Sequence, residues 1–134
     1  MKTVAPRARD FDELLAFLPR LYARGFKPVI RWEGGEADAD GVFTMPWPKY
    51  SPVVGKFVSI ASKKCWSDSN YSPEEAAKML KNEQFVSRAT LTQVRAMLTF
   101  CVRWERFCDG HWAAMIEEGH VRNLLTRLHQ LRPR

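Results

Sequence analysis

The sequence predicts a mainly α (α+β) fold, a compact helical domain of about five to six helices with one small antiparallel β-hairpin near residues 28–45. Three observations carry that prediction. "YSPVVGKFV" and "YSPEEAAKML" open with the same Ser-Pro device, a capping hydroxyl before a residue suited to the first helical position. "ATLTQVRAMLTFCVRWERF" and "HVRNLLTRLHQL" repeat apolar residues at helical spacing. "KPVIRW" and "GVFTM" are short β-favouring runs on either side of the polar turn "EGGEADAD".

Taken in order, "DFDELLAFLPRLYARGF" reads as a helix. Asp10 is its expected cap, Glu13 completes a capping box, and Phe11, Leu14, Leu15, Leu18 and Leu21 form the apolar stripe. Pro19 should kink or split this helix, and Gly25 suits its end. After the hairpin, Ser51 and Pro52 start a helix expected to run to Cys65, and Ser72, Pro73 and Glu75 start another. "WSDSN" between them is a loop. Thr90 caps the strongest helix, with Gln93 reaching back, and its stripe holds Val94, Met97, Leu98, Cys101 and Trp104. Asp109-Gly110 breaks it, a short helix follows to Glu118, and Gly119 separates that from the last one. Residues 1–134 make one domain in this reading, with 1–9 and 132–134 expected to be flexible.

Composition is that of a globular chain, 46% hydrophobic and 27% charged. No apolar run approaches the roughly 20 residues of a membrane helix. The start, "MKTVAPRARDFDELL", lacks a secretory signal's apolar stretch. Three cysteines without framework spacing fit reduced thiols, so the expected location is cytoplasmic. The formal charge of +6 favours an anionic or macromolecular partner.

The segments "GGEADADGVFTMPWPKYSPVVGKFV" and "LTFCVRWERFCDGHWAAMIEEGHVRNLLTRL" resemble a family of small bacterial domains of unknown function. The resemblance covers most of the chain beyond the first helix. It implies one compact domain and transfers no activity.

Three segments invite a chemical reading. "FCVRWERFCDGHWAAMIEEG" places Cys108 and His111 at ligand-like spacing, but no second pair completes a zinc site. Cys101 sits on the apolar stripe, two turns from Cys108, where cysteine serves as a small hydrophobe. The stretch reads best as a corner, with Trp104, Phe107 and Trp112 expected to be buried together in its angle. "EADADGVFTMPW" imitates half of a calcium loop, yet Glu36 stands at the first ligand position and Trp47 where a closing Glu belongs. "DGHWAAMIEEGHVRNLLTRL" superficially suggests helix-turn-helix, with Arg122, Asn123, Arg127 and Gln130 as candidate base readers. No catalytic residue, metal ligand set or cofactor motif is nominated.

Charge layout is the most informative feature. Arg95, Arg103 and Arg106 fall on one arc of the long helix, Lys56 and Lys63 on one face of theirs, and Arg122 and Arg127 on the polar side of the last. These faces are read as free of carboxylates, and surface replacements of the three arginines are expected to leave the fold intact. The functional expectation is a non-enzymatic basic binding module that docks on a larger complex. An accessory or mobile-element protein, such as a phage-derived inhibitor, would behave so. A protein is the favoured partner and no membrane is expected. Two alternatives stand beside it: direct nucleic-acid binding through the basic faces, and a small enzyme with a site near His111.

Overall fold

Two glycines with positive φ, Gly110 (+90°) and Gly119 (+85°), turn the chain sharply at either end of one short helix and so set how the C-terminal half folds back on itself. Only a residue without a Cβ adopts that backbone freely. A computed structural model describes residues 5–134 and shows α1 (Ala8–Leu15), α2 (Phe17–Leu21), β1 (Val29–Glu33), β2 (Trp47–Tyr50), α3 (Pro52–Ala61), α4 (Pro73–Leu80), α5 (Glu83–Val86), α6 (Leu91–Arg103), a 3₁₀ turn (Trp104–Arg106), α7 (His111–Glu117) and α8 (His120–Leu131). The protein is thus mainly helical with one small two-stranded antiparallel sheet. Residues 1–4 of the expected flexible N-terminal segment lie outside the described residues.

The capping motifs act as their chemistry dictates. Ser51 accepts from the Val53 N–H, Ser72 from that of Glu75, and Thr90 and Gln93 form a reciprocal box at 3.2 and 2.9 Å. The first helix starts earlier than expected. It begins at Ala8, and Asp10 works from its first turn, where its carboxylate accepts the Arg7 N–H at 2.8 Å. Glu13 pairs with Lys63 instead of capping. Helix α3 ends at Ala61, short of Cys65, because the chain turns through Lys63 to bury Trp66 edge-on against Phe11 at 5.1 Å. The short α5 answers to no apolar periodicity; Asn82 caps it by accepting the Phe85 N–H.

One hydrophobic cluster draws on every helix. Phe11, Leu14, Val54, Trp66, Val94, Met97, Leu98, Leu124, Leu125 and Leu128 are fully enclosed in it. The hairpin stands apart, joined to the core through the partly buried Tyr50 at its base. Its second strand is Trp47–Tyr50 rather than residues 41–45, paired as Arg31 with Lys49, Trp32 with Pro48 and Glu33 with Trp47. Proline is tolerated because each strand of a two-stranded sheet is an edge. Phe43 makes only an isolated bridge with Ala37, and Gly35 N–H donates to the Thr44 carbonyl at 2.7 Å. The result is a longer β-arm, Val29–Tyr50, closed by a turn at Asp38–Gly41.

The corner after α6 is built around Glu105. One carboxylate oxygen accepts from the Trp112 N–H (2.7 Å) and the Tyr50 hydroxyl (2.6 Å), and the other accepts from the Gly110 N–H (2.8 Å). The carboxylate therefore satisfies orphan donors at the start of α7 and ties the base of the arm to it. Trp112 stacks on Tyr50 at 4.9 Å and donates its indole N–H to the Val102 carbonyl at 2.7 Å. Phe107 departs from expectation, being 69% exposed. The 3₁₀ turn sets Phe107 in line with Trp104, itself only partly buried, and the two rings lie 5.0 Å apart outside the buried core.

Replacing Glu105 by Ala should lower stability by about 2–4 kcal/mol, because it leaves three donors without their charged acceptor. Glu105→Gln, which keeps one acceptor oxygen, should cost less, and Tyr50→Phe only about 1 kcal/mol. Urea unfolding of the three variants measures this order directly.

Candidate interaction surface

Several of the basic residues nominated by the sequence are engaged within the chain. The Arg95 guanidinium is partly buried and donates to the carbonyls of Ser67 (2.8 Å) and Lys64 (3.4 Å), closing the turn after α3. Arg127 donates to the Ala89 carbonyl (2.9 Å) and the Gln130 side chain (2.8 Å). Arg122 lies over the Tyr22 ring at 5.6 Å, and Lys63 is held by Glu13. That last pair corrects the expectation of carboxylate-free faces, since Glu13 comes from a neighbouring helix. Asp12 likewise pairs with Arg132, at 2.6 Å, which ties the expected flexible C-terminus to α1. Arg103 closes α6 and Arg106 closes the 3₁₀ turn that follows it. Among the described residues, Lys56, Arg103 and Arg106 have no hydrogen-bonding or ion-pair partner.

The candidate helix-turn-helix segment makes internal contacts as well. Tyr22 donates its hydroxyl proton to the Ile116 carbonyl and accepts the Arg122 N–H, fastening the α7–α8 corner to the loop after α2. Burial pushes the Tyr22 phenol up to about 12. His111 is buried edge-on against Phe100 (5.0 Å), and its Nε2 lies 3.2 Å from the Phe100 carbonyl. A carbonyl only accepts, so Nε2 carries the proton. Burial holds the imidazole below its usual 6.5. Cys101 is enclosed beside Val54, Phe57 and Ile116, and burial pushes its thiol up to about 12. Cys108 is exposed. Among the described residues no group of three or more His, Cys, Asp and Glu is arranged to hold a metal ion. In the calcium-like turn, Asp38 instead accepts the Asp40 and Val42 N–H groups, both at 2.9 Å.

The predicted hairpin is present, but its character as an exposed arm was not foreseen. Its large apolar side chains face solvent: Met45 is 83% exposed, Phe43 71%, Val42 58%, Ile30 53% and Trp32 52%, with Trp47 close behind. Gly110 makes room for the edge of Trp32, since a Cβ there would meet the ring at 3.1 Å, so the arm's base leans on the corner. Gly34 does the same for Trp47, where a Cβ would meet the ring at 2.5 Å. The arm carries Arg31 and Lys49 against Glu33, Glu36, Asp38 and Asp40, an acid excess on a chain of formal charge +6. The available signal was the apolar composition of "GVFTMPW", which a strand with no core to cover leaves exposed.

The fold and this surface define a small helical domain with a projecting, apolar, acid-flanked β-arm. Residues 6–134 match DUF6508, a family of unknown function, and the chain belongs to that family. No curated protein and no solved structure matches it. No helix among the described residues is long and apolar enough to cross a membrane.

Two measurements check this description. A thiol reagent at neutral pH should label Cys108 in the folded protein and reach Cys65 and Cys101 only after unfolding, as mass spectrometry will show. His111 is neutral when folded and its folded pKa lies below 6.5, so the unfolded chain binds more protons just below that value. Stability should therefore be full above about pH 6.5 and fall with acidification, and His111→Gln should flatten that part of the melting-temperature profile.

Proposed function

We propose that this protein is a non-enzymatic docking module that binds another protein through the β-arm. The observation that carries the reading is the run of exposed Val42, Phe43, Met45 and Trp47 on an element with no core beneath it. Contiguous exposed apolar surface is costly in water and marks contact sites. Acidic neighbours favour a protein over a nucleic acid: exposed aromatics suit base stacking only where cations track the phosphates, and here Glu36, Asp38 and Asp40 surround them. The basic faces support the same choice, because Arg95, Arg127 and Lys63 are engaged within the chain. The buried, carbonyl-bonded His111 offers no reachable base for an enzyme.

The test is affinity capture from the native host with nuclease present, at low and at high salt. Phe43→Ser with Met45→Ser should abolish capture without altering the melting temperature, while Arg103→Ala with Arg106→Ala should leave it intact. Submicromolar, sequence-dependent binding of DNA or RNA at about 150 mM salt, lost in the arginine variant and kept in the arm variant, would overturn the reading.

A further inference from the structure

We infer that the protein the arm fits is a second copy of this chain, the two copies exchanging arms so that each arm's tip lies in a groove of the other. This rests on the docking reading above and names its partner. The groove runs between α2 and α3. Its floor is apolar, from Ala16, Phe17 and Ile60, and its rim carries Arg20 and Lys56. Arg20 lies over the Phe17 ring at 5.2 Å, and Lys56 projects freely. The carboxylate at this rim, Glu13, is neutralised by Lys63. The arm's tip has the matching character, with Val42, Phe43 and Met45 exposed among Glu36, Asp38 and Asp40.

Charge decides which surfaces meet. Arm against arm would face carboxylates with carboxylates, and groove against groove would face cations with cations. Arm against groove pairs opposite signs around apolar contacts on both sides. The arm and the groove also flank one helix, since β2 leads straight into α3 and Lys56 and Ile60 lie along it. A twofold axis near α3 would then create both contacts at once, which closes the assembly instead of propagating it.

Sedimentation velocity of the full chain should show a monomer–dimer equilibrium that weakens with salt. Glu36→Lys with Asp40→Lys, which leaves the Asp38 turn intact, should give a monomer with an unchanged circular dichroism spectrum. Arg20→Glu with Lys56→Glu should do the same. An equimolar mixture of the two variants should dimerise again, because each arm then meets a groove of opposite sign. A wild-type chain that remains monomeric from about 1 μM to 1 mM, or a dimer indifferent to both charge swaps, overturns the inference. If a monomeric chain still captures another protein through Phe43 and Met45, the inference alone fails. If it captures none, the docking reading fails with it.

Discussion

The Glu105 carboxylate is the constraint on which the arrangement of arm and body depends. It follows the end of α6, it receives the first N–H groups of α7, and it binds the hydroxyl of Tyr50 at the foot of the arm. The corner between α6 and α7 and the foot of the arm, 55 positions away, are fixed by one charged group, whose bonds are individually stronger than neutral ones. Burial and the adjacent carboxylate push the Tyr50 phenol well above its ordinary range, so it remains a donor at any physiological pH. The lever this makes is long relative to its foot.

The arginines show a second economy. A helix ends with carbonyls that lack partners, and here guanidinium groups satisfy several carbonyls at helix ends and turns: Arg95 those of Lys64 and Ser67, Arg127 that of Ala89. Part of the chain's positive charge is thus structural in origin. A planar fork of N–H groups on a long apolar stem suits this better than an ammonium does. Net charge consequently overstates how basic the surface is where a partner would meet it.

These distinctions mark how far the sequence was legible. Ser51, Ser72 and Thr90 act within three residues of themselves, so their capping could be read directly, as could the core stripes of α6 and α8. The arm's register could not. Pro46 and Pro48 look like breakers, and only the knowledge that β2 has a free edge makes Pro48 admissible as a strand residue. The four-residue α5 is shorter than any periodic signal. The partners of Arg95 and Arg127 lie 28 to 38 positions away, and no local pattern announces a tertiary carbonyl. Phe107 was misplaced because its ring packs on the half-buried Trp104 instead of within the corner, and no local pattern distinguishes the two.

The exposed tip is what remains once these structural duties are assigned. Glu36, Asp38 and Asp40 do not stabilise a helix, and the apolar side chains beside them are largely open to water. Edge strands with open backbone groups invite indiscriminate pairing, and charges placed along them suppress it by repelling like copies of the same edge. Glu36, Asp38 and Asp40 lie in the turn beyond β1 and β2, so in the proposed docking reading they act at the tip, disfavouring contact between like tips and favouring a cationic, apolar surface. The arm can remain exposed on a folded chain because the pairing it would otherwise find first is the one its charge disfavours.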